Sequence, residues 1–262
     1  MSAWHTARFG LWLMSASGTS LVGRRSNNED AFRVREDLGL FLVADGMGGH
    51  EGGEIASRLV ADAVTRYFAD PDAFTQPGID LRDPQRLDTE RMERAIRVAR
   101  REVLAAATGH LREMGSTLAA LWLRDDRALV AHVGDSRVYR LRGGELKQLT
   151  QDHSILAELA SAGARGILER MGAELEGVVT RCISSCGNSE PDIALHEAQP
   201  GDVFLLCSDG LTDALSDTQI AYELAESSDP EEAARRLAAR AYELGSQDNI
   251  TCVVVRAPLV DA

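Results

Sequence analysis

Several short apolar runs in this sequence stop abruptly at an acidic residue. Residues 41–44 are apolar and lead into Asp45, which is followed by three glycines within four residues. Such a run predicts a buried strand, and the glycines predict a tight turn at its end. The apolar residues 203–207 lead to Asp209 in the same way, and Asp248 lies just before another apolar run. Carboxylates at the ends of separate strands can converge on one point, and such a group suits a hard divalent cation.

Helical patterns mark three further segments. In residues 54–68, apolar side chains recur at the spacing that predicts an amphipathic helix. Residues 70–88 contain three prolines and predict a loop, after which Thr89 is placed to cap a helix that runs to about residue 107. We interpret the many arginines of that helix as a solvated face rather than a docking surface. Asp229 and the proline after it predict the start of a last helix, which Gly245 ends.

The middle of the chain predicts two consecutive hairpins. Residues 116–123 and 128–133 flank a polar turn, and residues 138–141 and 145–149 flank a turn with two glycines. Consecutive hairpins imply antiparallel pairing, whereas the long helices lie before and after this strand-rich part. We therefore predict an α+β fold in which antiparallel sheets are covered by helices, rather than an alternating βαβ arrangement. The sequence has no internal repeat and no convincing linker, so residues 1–262 are assigned to one domain.

Composition narrows the expected partners and location. The formal net charge is −13 at pH 7, which argues against nucleic acid or a membrane surface as the main partner. The acidic excess fits carboxylates gathered around cations, and it fits a soluble surface equally well. We expect no export signal and no membrane span, because the apolar stretches are too short for either. Four scattered cysteines make no disulfide framework, so we expect a cytoplasmic protein with reduced thiols.

Several other chemistries find no support in the sequence. The glycine-rich turn lacks the Gly-Lys-Ser/Thr ending of a phosphate-binding P-loop. No cysteine has an arginine six positions later, so a cysteine-based phosphatase loop is not indicated. Cys182 and Cys186 have no second ligand pair, which argues against a zinc site. The six histidines show no ligand spacing, so we predict no histidine cluster and a structural role for His153.

Five acidic motifs occur in an order that is typical of one enzyme family. They are Asn28-Glu29-Asp30, Ala44-Asp45-Gly46-Met47-Gly48-Gly49, Gly134-Asp135-Ser136-Arg137, Ser208-Asp209-Gly210-Leu211-Thr212-Asp213 and Gln247-Asp248-Asn249. In this order they resemble the signature of the protein phosphatase 2C family, the metal-dependent Ser/Thr protein phosphatases. The resemblance extends from about residue 15 to residue 256, and it is to the compact bacterial members rather than the longer eukaryotic ones.

The resemblance implies a fold, a cofactor and a reaction. Family members have two central antiparallel sheets flanked by helices, in four αββα layers, with two Mn²⁺ or Mg²⁺ ions between the sheets. A hydroxide shared by the two metals attacks the phosphorus of phosphoserine or phosphothreonine directly, without a covalent enzyme intermediate. The implied substrates are phosphorylated proteins, the natural opposing enzyme is a bacterial Ser/Thr kinase, and we expect a monomer.

The motif positions imply a role for individual metal ligands. Asp45 would bridge both metals. Asp209 and Asp248 would complete the protein ligands of one metal, while Glu29 and the backbone carbonyl of Gly46 would hold the other.

Further roles follow from residues near those ligands. By resemblance, Asp30 would orient metal-bound water, and Arg25 would grip the substrate phosphate with its planar donor fork. Many family members carry a histidine directly after the bridging Asp-Gly as the proposed acid for the leaving group, whereas this chain has Met47. His50 and metal-bound water are the two alternatives for that role.

Two segments leave more than one interpretation open. Bacterial relatives often bind a third metal, for which Asp135 and Asp209 match the ligands and Asp213 is a further candidate. Asp135 is equally well explained as a turn residue, and Asp213 as the N-cap of a largely helical segment that runs to residue 226. Residues 151–180, with one short predicted helix, match the flap beside the family's active site and depart from the usual bacterial sequence in their later part.

Three alternative functions come from other classes. The chain would be a catalytically dead relative if a ligand were missing, but all the acidic positions are intact. A hydrolase of small phosphate esters would use the same site, so only substrate competition separates it from a protein phosphatase. A non-enzymatic Ca²⁺-binding module is supported only by the repeated Asp-Gly turns.

Overall fold

Two antiparallel sheets form the centre of the protein. The computed structural model describes residues 14–48, 51–70, 84–175, 177–185 and 187–257. The strands are β1 (Ser15–Leu21), β2 (Asp30–Arg35), β3 (Leu40–Met47), β4 (Gly115–Ser116), β5 (Leu118–Arg124), β6 (Arg127–Val133), β7 (Arg137–Arg142), β8 (Glu145–Gln148), β9 (Ile183–Ser184), β10 (Asp192–Glu197), β11 (Val203–Cys207) and β12 (Ile250–Arg256). The α-helices are α1 (Glu51–Ala69), α2 (Pro84–Ala106), α3 (Ile155–Ser161), α4 (Arg165–Met171), α5 (Asp209–Thr212), α6 (Asp217–Glu226) and α7 (Pro230–Glu243).

The strand order confirms the predicted fold class. The smaller sheet has the order β1-β12-β11-β7-β8, and the larger has the order β10-β6-β5-β3-β4-β9, with β2 paired to β3. Helices α1 and α2 bury their apolar sides on the outer face of the larger sheet. Helices α6 and α7 do the same on the smaller sheet. The result is an αββα sandwich, which is the arrangement expected when each sheet must cover two apolar faces.

Strand β3 shows why its sequence is apolar without alternation. Phe41 and Val43 point into the layer between the two sheets. Leu40 and Leu42 point the other way, into the layer that α1 and α2 cover. All four side chains are fully buried. A strand covered on both faces needs apolar residues at every position, which accounts for the uninterrupted run before Asp45.

Helix α2 begins earlier than the sequence predicts. It starts at Pro84 rather than after Thr89, and proline is favoured at a first helical position because its missing N–H would have no partner there. Asp88 is only 3% exposed, and it forms ion pairs with Arg127 at 2.8 Å and Arg124 at 3.1 Å. The predicted loop before the helix therefore ends sooner, and its residues 71–83 lie outside the described residues.

Short elements are the other difference from prediction. The predicted helix near residue 155 is confirmed as α3, which Ser154 caps by accepting a hydrogen bond from the amide of Ala157. Helix α4 and strands β9 and β10 were not predicted, since a few residues carry too little periodicity. In the predicted helical segment from Asp213 to residue 226, the helix α6 begins only at Asp217, and a separate short helix, α5, precedes the segment. Ser216 forms the N-terminal capping box of α6 with Gln219. Asp213 is thus not an N-cap; it lies at the C-terminal end of α5.

In the described ranges, no helix has both the length and the apolar character of a membrane-spanning segment.

The layer between the sheets should dominate stability. Phe204 of β11 is fully buried there, so Phe204→Ala is expected to lower the free energy of unfolding by about 3–5 kcal/mol. Tyr222 on α6 is 58% exposed, and Tyr222→Ala should change it by less than about 0.5 kcal/mol. Urea titration followed by circular dichroism measures both. Similar losses in the two variants would contradict the proposed location of the core.

Candidate active site

A pocket opens where strands of both sheets end. Strand β3 of the larger sheet ends there, β11 of the smaller sheet leads into it, and β12 begins beside it. Its volume is about 440 Å³. Its lining residues are Arg25, Ser26, Asn27, Glu29, Asp45, Gly46, Met47, Gly48, Thr117, Asp135, Gly177, Val179, Asp209, Asp248 and Asn249. The predicted convergence of carboxylates from distant parts of the chain is therefore observed for Glu29, Asp45, Asp135, Asp209 and Asp248.

Backbone hydrogen bonds fix Asp45 at the end of its strand. The amide of Asp45 donates to Thr117 Oγ1 at 2.9 Å, and the amide of Thr117 donates to the carbonyl of Asp45 at 2.8 Å. Thr117 Oγ1 in turn lies 2.7 Å from the hydroxyl of Ser136, next to Asp135. Thr117 and Ser136 are buried. Sequence reasoning assigned neither hydroxyl a role, because a hydroxyl beside a strand end does not by itself indicate what it contacts.

Two glycines allow the chain to close tightly around Glu29. The amide of Gly46 donates to the carbonyl of Glu29 at 3.1 Å. A Cβ on Gly53, in the first turns of α1, would lie 2.0 Å from Glu29 Oε2, and a Cβ on Gly46 would lie 2.1 Å from the carbonyl oxygen of Gly53. No side chain fits in either place, so the glycine-rich sequence after β3 is required for packing as well as for turning.

Asn249 ties the loop before β2 to the start of β12. Its side-chain oxygen accepts from the amide of Glu29 at 2.8 Å, and its side-chain nitrogen donates to the carbonyls of Val22 at 2.8 Å and Asn27 at 2.9 Å. Asn249 is 4% exposed. The loop that carries Arg25 and Glu29 is thus held next to Asp248 by one buried amide, a role that the sequence motif did not indicate.

Asp30 lies beside Asp45, directly opposite it in the β2–β3 register. Its Oδ2 accepts a hydrogen bond from the hydroxyl of Ser208 at 2.8 Å, while its buried Oδ1 has no hydrogen-bond partner among the described residues. Burial raises the pKa of Asp30 to about 6, against the opposing effect of the hydroxyl contacts. Asp30 is therefore a carboxyl group with one hydrogen-bonded and one unpartnered oxygen, as far as the described residues extend, at the edge of the pocket.

The gathered carboxylates make this pocket electrostatically unfavourable. Burial first, and then the charges of Asp30 and Asp209, raise the pKa of Asp45 well above its usual value. Burial and the nearby Asp135 raise the pKa of Asp209 to about 8, and burial raises that of Asp135 to about 6. Asp209 Oδ1 is buried, and no donor in the described ranges reaches it. A set of hard oxygen atoms with too few donors fits a divalent cation.

The remaining predicted residues differ in their distance from the pocket. Arg25 lies at its mouth, where its side chain is 58% exposed and its Nη2 is 2.6 Å from Asp248 Oδ2. Asp213 is exposed and does not line the pocket, although its charge raises the pKa values of Asp209 and Asp135. Met47 lines the pocket, and His50 lies outside the described residues.

Three residues outside the pocket form a cluster that was not predicted. His132, His153 and Asp192 bring one ligand atom each to within 4.8 Å of one another. The prediction that the histidines form no cluster is therefore wrong. The three residues are far apart in sequence, on β6, before α3 and on β10, so no local spacing could have revealed them.

Comparison with known proteins agrees with the geometry of this site. Residues 17–241 match the family model described as protein phosphatase 2C. The chain belongs to the protein phosphatase 2C family. The resemblance seen in the acidic motifs is thereby confirmed, and the αββα sandwich is that family's fold.

Bacterial members of the protein phosphatase 2C family are similar over most of this chain. The Ser/Thr protein phosphatase PstP of Mycobacterium tuberculosis is 36% identical over 250 residues, which cover 95% of this chain and 46% of that protein. The chain thus spans about half the length of this curated relative. The Ser/Thr phosphatase Stp of Listeria monocytogenes is 30% identical over 240 residues, which cover 90% of this chain and 92% of that protein.

A solved structure from the same family extends the comparison to three dimensions. The catalytic domain of PstP, crystallised with two manganese ions, superposes with a TM-score of 0.79 at 34% identity. The match covers 94% of this chain and 99% of that domain.

The close contact at Glu29 gives a test of the site's packing. Gly53→Ala is expected to lower the free energy of unfolding by about 1–3 kcal/mol, because the new methyl group displaces the Glu29 carboxylate or the backbone at Gly46. At Gly166 of α4, an added Cβ would have no atom of the described residues within 4 Å. Gly166→Ala should therefore raise the free energy of unfolding by about 0.5–1 kcal/mol. Denaturant unfolding of the two variants measures the contrast, and a tolerated Gly53→Ala would show that α1 does not approach Glu29 this closely.

Proposed function

We propose that this chain is a divalent-metal-dependent phosphatase that acts on phosphoserine and phosphothreonine in proteins. The observation that carries the proposal is the convergence of Glu29, Asp45, Asp135, Asp209 and Asp248 on one pocket. The family of the chain, its Ser/Thr phosphatase relatives and the two manganese ions of the PstP catalytic domain support it. The proposed enzyme is a single catalytic domain whose flap, residues 151–180, contributes to the pocket.

The donor set suggests how two cations would be held. Asp45 is proposed as the bridging ligand, with Asp209 and Asp248 on one ion. Glu29 and the carbonyl of Gly46 would serve the other. Carboxylate and carbonyl oxygens are the ligands that Mn²⁺ and Mg²⁺ prefer. A bound cation would offset the missing hydrogen-bond donor at Asp209 Oδ1. When bound, the cations supply Lewis acidity and a hydroxide nucleophile at neutral pH.

Asp30 and Arg25 are proposed to act on water and on the substrate phosphate, respectively. One carboxylate oxygen of Asp30 accepts a hydrogen bond from Ser208, and the other has no partner in the described part of the chain. The second oxygen is therefore available to accept a hydrogen bond from a water molecule and to orient that water. Arg25 is exposed at the mouth and is already directed towards the pocket through Asp248. A guanidinium group there matches the planar oxygens of a phosphate monoester. Phosphate binding would compete with the contact to Asp248.

A third cation is a separate part of the proposal. The charge of Asp135 raises the pKa of Asp209, and both residues line the pocket. Asp213 is close enough to affect both pKa values, but it is exposed. These three carboxylates are the proposed ligands of that ion.

The proposed substrates are proteins phosphorylated by a Ser/Thr kinase, and the proposed enzyme is a monomer. Metal-bound water and His50 stay as the two candidates for protonating the leaving group.

Metal dependence is the first test of this proposal. The protein is expected to hydrolyse p-nitrophenyl phosphate with Mn²⁺ and to lose that activity in EDTA. Asp209→Asn should remove most turnover without destabilising the metal-free protein, because a neutral amide avoids the burial cost and the repulsion that raise the pKa of Asp209. The exposed Asp217→Asn on α6 is the matched control and should stay active. Chelator-resistant activity, or a fully active Asp209→Asn, would rule out the metal mechanism.

Arg25 gives a second, independent test. Arg25→Ala is expected to raise the KM for a phosphopeptide roughly tenfold or more, because it removes a charge-assisted phosphate contact of about 1.5–3 kcal/mol. Arg24 is exposed and does not line the pocket, so Arg24→Ala should leave the KM nearly unchanged. Equal KM values for the two variants would show that Arg25 does not bind the phosphate.

A further inference from the structure

The two ends of the flap meet beside the pocket. Gly177 and Val179, near the end of the flap, line the pocket wall. The amide of Ile155 donates to the carbonyl of Val178 at 3.0 Å, and the amide of Thr180 donates to the carbonyl of His153 at 2.8 Å. The pocket wall is therefore attached to the segment that contains His153, and the position of that segment sets the position of the wall.

A stacked pair of histidines lies under that segment. The rings of His132 and His153 are 4.4 Å apart between centroids and 21° from parallel. Both residues are only 4% exposed. His132 Nε2 donates to the carbonyl of Gln151 at 2.7 Å, since a carbonyl oxygen only accepts. His132, on β6, thus holds the start of the flap from below.

His153 makes the second connection to β6. Its amide donates to the carbonyl of Gly134 at 2.9 Å, and the amide of Gly134 donates back to His153 Nδ1 at 3.1 Å. An Nδ1 that accepts a hydrogen bond belongs to a neutral ring with its proton on Nε2. That Nε2 lies 3.3 Å from Asp192 Oδ2 on β10. Asp192 also pairs with Arg181, just after the flap, at 2.7 Å.

This arrangement does not suit a metal ion. Two rings that are stacked and nearly parallel keep their in-plane lone pairs in two nearly parallel planes, 4.4 Å apart between ring centroids, which disfavours the convergence of both nitrogens on one ion. The proton on His153 Nε2 and the donation from His132 Nε2 occupy two of the nitrogens that a metal would need. The hydrogen bonds of the pair are made by His132 Nε2, to Gln151 in the flap, and by His153 Nδ1, from Gly134 just after β6. The buried His153 Nε2 has no hydrogen-bond partner among the described residues.

We propose that His132 and His153 are positioning residues that hold the base of the flap on β6 and thereby fix the Gly177–Val179 wall for large phosphoprotein substrates. The proposal rests on the proposed function, because it concerns access to the same pocket. A small ester can enter the pocket without contacting the Gly177–Val179 wall. A protein segment that bears a phosphate is larger and contacts this wall. The pair should therefore matter for one substrate class and not for the other.

The electrostatics of the pair agree with a neutral, buried contact. Burial lowers the pKa of His132, and burial together with the charge of His132 lowers the pKa of His153. Asp152 and Asp192 oppose the shift for His132, Asp192 opposes it for His153, and Arg181 reinforces it for both. Because the folded protein disfavours protonation of these two histidines, protonation favours the unfolded state. The stability contributed by the neutral pair is therefore fully present above the unfolded pKa of about 6.5 and is lost as the pH falls below that value.

The test separates the hydrogen bond from the ring. His153→Asn keeps an acceptor near the position of Nδ1 but removes the ring, while His153→Phe keeps a ring and removes the acceptor. His132→Phe removes the donor to Gln151 in the same way. His196→Gln is the matched control, because His196 lies on β10 with Asp192 and the charges that influence its pKa are those of Arg140 and Lys147, which lie outside the flap. The readouts are amide hydrogen exchange at Ile155 and Thr180, and the KM and kcat for a phosphoprotein and for p-nitrophenyl phosphate.

The expected result is a split between substrates. His153→Phe and His132→Phe should speed exchange at the two flap amides about tenfold and raise the KM for the phosphoprotein by a similar factor, the effect of one lost hydrogen bond. Their kcat and KM for p-nitrophenyl phosphate should stay within about twofold, as should every value for His196→Gln. His153→Asn, which keeps an acceptor, should recover part of the exchange protection.

Two results would overturn the positioning role. One is unchanged flap exchange in both phenylalanine variants, or in His132→Phe alone if His153→Phe does not fold. The other is an equal loss on both substrates, which is what a general loss of stability produces. A wild-type protein inactive on every phosphoester would refute the proposed phosphatase activity, while the exchange measurements would still decide whether the histidine pair holds the flap.

Discussion

The crowding of carboxylates at one end of the sandwich is the constraint on which the rest of this structure depends. Asp45 and Asp209 are forced together by strand ends, and burial and mutual repulsion raise both pKa values. The ion pair between Arg25 and Asp248 supplies only partial compensation, at the exposed mouth. A fold tolerates such an arrangement when the surrounding packing supplies enough stability and when a ligand offsets the repulsion.

The two sheets supply that packing. Each contributes acidic residues from strands whose interiors are fully apolar, so the position of a carboxylate is set by how a buried strand ends. Thr117 and Asn249 then hold the backbone around Asp45 and Glu29 with buried hydrogen bonds. Gly53 lets the first turns of α1 approach Glu29 more closely than any other residue could. The carboxylates of Asp45 and Glu29 are thus held by backbone that is packed and hydrogen-bonded to its surroundings.

The flap is built differently from the rest of the pocket. Helix α3 has no fully buried residue, and among the described flap residues Gly177 and Val179 line the pocket. The attachment of the flap is polar, through the His132–His153 pair and the ion pair of Arg137 with Asp152 at 2.6 Å. A segment held by a few polar contacts is the place where one reaction centre can be adapted to different substrates.

The sequence by itself determined the strands that end in acidic residues, the antiparallel class and the candidate ligands, because each leaves a local pattern of apolar runs, turns and motifs. It misjudged the start of α2 and missed α4, β9 and β10, because their patterns are short or contain a proline that is typical of a loop. Only the tertiary structure decided that Asp213 stays exposed, that Asn249 fixes the Glu29 loop and that His132 meets His153. These facts depend on contacts between residues far apart in the chain, and no local spacing encodes such contacts.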